Sequence, residues 1–130
     1  MTNKIILVAT LFACVVPVAS QQHAPLPDKV VAARTVFLMN ESGQPKLGDA
    51  VYKQIRTWNQ WKIATDRTDA DLILTVSNKG GLNPSYYLSL TDAKSGEQLW
   101  TSRTSMQGKL WRTWNAIAKD LVADIRDRMK

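Results

Sequence analysis

The sequence predicts an α/β chain of the two-layer α+β kind, a mixed five-stranded sheet carrying two helices in the order β-α-β-β-β-β-α. Three observations carry that expectation. Residues 47–61 and 109–129 repeat apolar side chains at steps of three and four, the signature of one buried helical face. Five shorter runs rich in β-branched, leucine and aromatic residues are bounded by Gly, Asn, Pro and Asp, as strands are. The first run, the first helix and the second run follow so closely that only a right-handed crossover between parallel strands joins them.

The N-terminus is read apart from the fold. "MTNK" supplies a positive charge, "IILVATLFACVV" is an apolar stretch of secretory length, and "PVAS" places small residues before a cleavage point between Ser20 and Gln21. Twelve apolar residues are too few to cross a hydrocarbon core of about 30 Å as a helix. The domain boundaries that follow are a signal peptide over 1–20, a flexible lead-in over 21–29, and one domain over 30–130. The chain is thus expected in the periplasm or secreted. "LFAC" also resembles a lipoprotein box ending at Cys14, but Phe12 is bulky for it and the apolar run continues past the cysteine, so lipid anchoring is the weaker alternative.

Cleavage leaves 110 of the 130 residues, removes the single cysteine, and lowers the formal charge from +6 to +5. Core packing must then carry stability without a disulfide. Lysines and arginines are interspersed with aspartates, which reads as a solvated surface and not as a nucleic-acid footprint.

Residues 30–39, "VVAARTVFLM", are apolar on both faces and suit a central strand. After the turn "NESGQP", Leu47, Val51, Ile55 and Trp58 form the first helical stripe, continued by Trp61. "KIAT" is a brief strand and "DRTDAD" a turn. "ADLILTVS", "YYLSLTD" and "QLWTSRTS" are three strands joined by the loop "NKGGLNPS" and the turn "AKSGE", both short enough for antiparallel hairpins. Leu110, Trp114, Ile117, Leu121 and Ile125 line the last helix, with Asp124 and Arg128 spaced to pair on its wet side.

This order, with "RTVFLMNESG", the helix after "LGD", "WKIATDRTDADLILTVS" and "LSLTDAKSGEQLWTS", resembles a superfamily of small bacterial envelope domains that includes the TolB amino-terminal domain and the periplasmic domain of CsgG-type lipoproteins. The likeness spans nearly all of the chain after the leader, and its motifs are structural. It implies a fold and an envelope setting. It transfers no catalytic residue, and neither the β-propeller of TolB nor the pore hairpins of CsgG are present.

The chemical inventory points the same way. His23 is the only histidine and falls in the lead-in, Glu41 and Glu97 are the only glutamates and fall in turns, and "NKGGLNP" lacks the ending of a phosphate loop. Asp66, Asp69 and Asp71 lack the glycine and terminal glutamate of a calcium loop and read as turn residues. No catalytic residue, metal or cofactor is assigned. The expected function is a non-catalytic exported envelope module that binds another protein, with an anionic envelope glycan, polymer or lipid head group at the membrane surface as the alternative ligand and a hydrolase as a poor third. Two surfaces are candidates: a basic patch of Arg103, Lys109 and Arg112 with Trp111, and the loop from Lys79 with Tyr86 and Tyr87. Oligomeric state stays open. Trp58, Trp61 and Trp114 read as the seam between helix and sheet, while Trp100, alternating with Leu99, suits either side of the sheet.

Overall fold

A computed structural model describes residues 26–82, 84–106 and 113–129. A short helix α1 (Asp28–Ala32) precedes β1 (Thr35–Asn40), α2 (Pro45–Trp58), β2 (Lys62–Ile63), β3 (Leu72–Asn78), β4 (Ser85–Asp92), β5 (Gln98–Thr101), β6 (Ser105–Met106) and α3 (Trp114–Arg128). The five-strand path runs β2-β1-β3-β4-β5, and the two-residue β6 also pairs with β4. β1 is parallel to β2 and β3, and β3-β4 and β4-β5 are antiparallel. The mixed five-stranded sheet, the parallel crossover and both hairpins are therefore as the sequence implies.

Both long helices pack on one face of the sheet and against each other. Leu47, Val51 and Ile55 of α2 and Ile117, Leu121 and Ile125 of α3 join Val36, Leu72, Leu74, Val76, Leu88 and Leu90 in one core. The tryptophans belong to that seam. Trp61 is 2% exposed and meets Trp58 edge-on at 5.2 Å, while Trp100 and Trp114 pack against the core. Asn59, at φ 60°, ends α2 in the left-handed conformation, so Trp61 lies beyond the helix rather than within it.

The opposite face is built from the alternating strand residues. These are Thr35, Phe37 and Met39 on β1, Lys62 on β2, Ile73, Thr75 and Ser77 on β3, Tyr87, Ser89 and Thr91 on β4, and Gln98 and Thr101 on β5. A bulge at Leu99 lets Gln98 and Thr101 share this side, where Gln98 Nε2 donates to Thr101 Oγ1 at 2.8 Å.

Four sequence expectations change. Residues 30–32 form helix instead of strand, because Pro27 fixes the turn that starts α1 and Val30 turns into the core. The lead-in is accordingly packed from Leu26 onward, where 21–29 had been expected to be flexible; 21–25 lie outside the described residues. The last strand divides at residues 102–104, and α3 begins at Trp114, where the Thr113 hydroxyl accepts from Ala116 N–H at 3.2 Å, instead of at Lys109. Asp124 and Arg128 pair as anticipated, at 3.3 Å.

α1 is tied across the domain by Lys29, whose ammonium donates to Asp92 Oδ2 at 2.9 Å and stands 3.8 Å from Glu97. The hydrogen bond from Lys29, then that from the Lys94 N–H, draw the Asp92 carboxyl down to about 2, and the same contact raises Lys29. A folded carboxyl that titrates below its unfolded value stabilises fully above about pH 4 and loses that contribution as pH falls toward 2. The Lys29 contribution is complete below its unfolded value and is lost only on the alkaline side. Thermal melts across pH 2 to 5 should therefore show a fall in midpoint toward acid that is shallower in Lys29→Met; equal slopes would contradict the tether.

Candidate functional site

The carboxyl ends of β1 and β3 point to the same end of the sheet. β1 passes through α2 to β2 on one side, and β3 lies on the other, so the chain changes direction between them. In open α/β sheets that switch point leaves a crevice outside the strand ends. Here the crevice is a cavity of about 340 Å³, lined by Leu38, Met39, Asn40, Pro45, Gly48, Asp49, Tyr52 and Val76.

One rim of the cavity is held by the turn after β1. Asn40 Oδ1 accepts from Ser42 N–H at 3.1 Å and from the Ser42 hydroxyl, Asn40 Nδ2 donates to the Gln44 carbonyl at 2.9 Å, and Ser42 Oγ accepts from Gln44 N–H at 3.1 Å. These bonds satisfy backbone groups in a connection that has no ladder to use, and Ser42 is buried. Gly48 lets α2 approach this turn, since a Cβ there would sit 2.8 Å from Asn40 Cγ. A hydrogen-bonded turn and a close helix thus fix the mouth of the cavity.

The other projection at this end is the loop between β3 and β4. Asn78 Oδ1 accepts from Gly80 N–H at 2.8 Å and Lys79 N–H donates to the Ser85 carbonyl, closing the loop base. Gly80 and Gly81 both have positive φ, a pair of backbone conformations that side chains resist, and they deliver Leu82 to solvent at 101% exposure. Among the described residues three large apolar side chains are exposed. Tyr52 and Leu82 belong to this end and Val31 to α1.

The residues singled out in the sequence fall in different places. Lys79 is exposed at the loop base, and Tyr87 is half-buried on the face opposite the helices. Tyr86 is not a surface residue. It is 1% exposed and edge-on to Trp114 at 5.6 Å, because it shares the period of Leu88 and Leu90 and so faces the core. Arg103 is exposed, but it borders a cleft with Asp120, Asp124 and Asp127, and its N–H donates to Asp124 Oδ2 at 2.9 Å. The described part of the expected basic patch is therefore rimmed by carboxylates. Lys109, Trp111 and Arg112 lie outside the described residues, as do Ser20 and Gln21. Leu82 and Tyr52 were missed, because an isolated apolar residue in a Gly-rich loop, or one step off a helical stripe, carries no periodic signal.

The aspartates near β3 serve the backbone. Asp66 Oδ1 accepts from Thr68 N–H at 3.1 Å, and Asp71 Oδ2 accepts from Arg34 N–H at 2.9 Å and Thr35 N–H at 3.3 Å. The backbone bond from Thr68 lowers the Asp66 carboxyl, and that from Arg34 is the main cause lowering Asp71. Their geometry is that of a turn and a strand entry.

No protein-family model and no curated protein matches the chain. Solved structures do. TolB from Acinetobacter baumannii superposes with a TM-score of 0.50 at 12% identity, over 82% of this chain and 29% of that one. The chain has the fold found within TolB. A PelC dodecamer from Paraburkholderia phytofirmans matches with a TM-score of 0.47 at 15% identity, over 82% and 93% of the two chains. The C-terminal domain of LpoB from Salmonella enterica matches with a TM-score of 0.47 at 12% identity, over 63% and 87%. The resemblance to small envelope domains holds for the fold. No described helix is long and apolar enough to cross a membrane.

The two adjacent tyrosines give a direct check on these faces. Tyr86→Ala should cost about 3–5 kcal/mol in chemical denaturation, as loss of a buried aromatic does, whereas Tyr87→Ala should cost about 1 kcal/mol or less. Equal losses would refute the assignment.

Proposed function

We propose that the protein is a non-catalytic, exported cell-envelope module that binds another protein at the carboxyl end of β1 and β3. The observation that carries this reading is the pairing of a projecting apolar side chain with an apolar recess at one end of a rigid sheet. Leu82 is wholly exposed at the loop tip, and the cavity beside α2 is lined by Leu38, Met39, Val76 and the exposed Tyr52. Recognition surfaces concentrate where a loop is presented by a rigid scaffold, and aromatic and aliphatic anchors filling recesses carry most of the energy of protein contacts.

The leader-like N-terminus and the fold shared with TolB support the envelope setting. A protein partner accounts for this end better than a polyanion does. Asp49 contributes a carboxylate to the cavity lining and exposed Glu41 stands in the turn beside it, so the exposed Lys46 and Lys79 at this end are offset by acids. Charge-driven binding would instead need clustered cations and would weaken steeply with salt.

Affinity capture from envelope extract, using protein expressed from the full 130-residue sequence, tests the proposal. A discrete protein should be retained through a high-salt wash, and Leu82→Asp or Tyr52→Asp should weaken its retention by about tenfold or more, as charging an apolar anchor does. Capture of an anionic polymer that is released by salt, and is indifferent to both substitutions, would overturn it.

A further inference from the structure

The sheet face opposite the helices is covered by no described helix, and none of its residues named above on β1, β3, β4 and β5 is charged; Lys62 of β2, paired with Thr35, stands at its edge. Ile73, on the central strand β3, is 2% exposed although it stands outside the helix-side core; half-buried Phe37 and Thr91 lie on either side of it, and half-buried Tyr87 lies toward the other end, opposite Ser77. Seventeen basic and eleven acidic residues are spread over the chain, so an uncharged area across four adjacent strands is a marked departure from the rest of the molecule.

We propose that this face packs against the same face of a second copy of the chain, with strands antiparallel, so that two two-layer domains form a four-layer α-β-β-α pair. The inference rests on this face, which meets the contact end proposed above only at Met39, and the residues varied below lie outside that cavity. Charge selects the occupant. Two copies carry the same positive net charge, and a twofold contact through a charged patch sets like against like around the axis. On the uncharged face that cost is absent, and two such surfaces can stack about 10 Å apart with their side chains interleaved.

The ends of the face select the orientation. Lys79 leaves β3 at one end, and the Arg67–Asp69 turn lies at the other, tied to β1 by the bond from Thr35 Oγ1 to the Asp69 carbonyl at 3.3 Å. Antiparallel stacking carries each Lys79 to the end of the other copy where the Asp66 and Asp69 carboxylates outnumber Arg67, whereas parallel stacking would bring lysine to lysine. Four strands at about 4.8 Å spacing and about seven residues long cover about 450 Å² in flat projection. A standard interface takes about 800 Å² of accessible surface from each partner, so the pair is reversible and depends on concentration.

Sedimentation velocity over a wide concentration series, on protein expressed from the full sequence, tests this. The wild type should approach twice the chain mass. Thr75→Lys, which puts two ammonium groups near the axis, should weaken association by about tenfold or more, while Thr75→Val should preserve it and control for folding. Lys79→Glu should weaken it and Lys79→Glu with Asp69→Lys should restore it, a reversal that a folding defect would not produce. A wild type that stays monomeric throughout, or a dimer indifferent to Thr75→Lys, overturns the inference. Because Leu82 and Tyr52 are untouched in these variants, envelope capture that persists in a monomeric Thr75→Lys variant leaves the protein-binding reading standing alone.

Discussion

The rest of the structure depends on a reciprocal clasp between Thr35 and Asp71. The Asp71 carboxylate accepts from the N–H groups of Arg34 and Thr35, while Asp71 N–H donates to Thr35 Oγ1 at 2.9 Å and to the Thr35 carbonyl at 3.2 Å. It sits at the entry of two parallel strands that no hairpin turn aligns. Side chains alternate with a period of two, so a slip of one residue would exchange the two faces of a strand. With Val36 held opposite Leu72, the apolar series Leu72, Leu74 and Val76 meets the helices, and the uncharged series Ile73, Thr75 and Ser77 faces away. One carboxylate thereby fixes which residues build the core and which build the second face.

Elements with a strong period were legible in the sequence. The stripe of α2, the runs of β3 and β4 and the second half of α3 each give one reading, and the structure follows it. Residues 30–33 do not, since "VVAA" suits a buried strand or a short buried helix equally, and the deciding cue was local, Pro27 followed by Asp28. α3 was extended too far because Leu110 and Trp111 continue its apolar spacing, although Thr113 offered a capping hydroxyl just before Trp114.

The candidate site was legible only in part. The loop at Lys79 was picked out because glycines and asparagines interrupt a strong pattern, yet the side chain it presents is Leu82, not a tyrosine. Tyr86 and Tyr87 are chemically alike and adjacent, and only their phase with Leu88 and Leu90 separates a core ring from a surface ring. The cavity beside α2 joins residues from β1, α2 and β3, so it exists only after the crossover has closed. Trp61 Nε1, buried with no hydrogen-bond partner among the described residues, is likewise invisible before the fold is known. Leaving it unpaired opposes stability by about 1–3 kcal/mol, which the packing of its ring against Trp58 helps to offset.

The edges explain why association, where it occurs, should use a face. A long unpaired strand invites lateral growth without limit. Here β2 is two residues long at one edge. At the other, β5 carries the Leu99 bulge and then breaks at Ser102, whose hydroxyl takes the Leu88 N–H in place of a ladder carbonyl and donates onward to the Arg103 carbonyl. The Arg103 N–H is in turn occupied by Asp124 from α3. Backbone groups that a neighbouring strand would use beyond Thr101 are thus spent within the domain. Among the described residues the strands at this edge are the short β5 and β6, which offer little for lateral addition, whereas face-to-face stacking about a twofold axis closes on itself and stops at two copies.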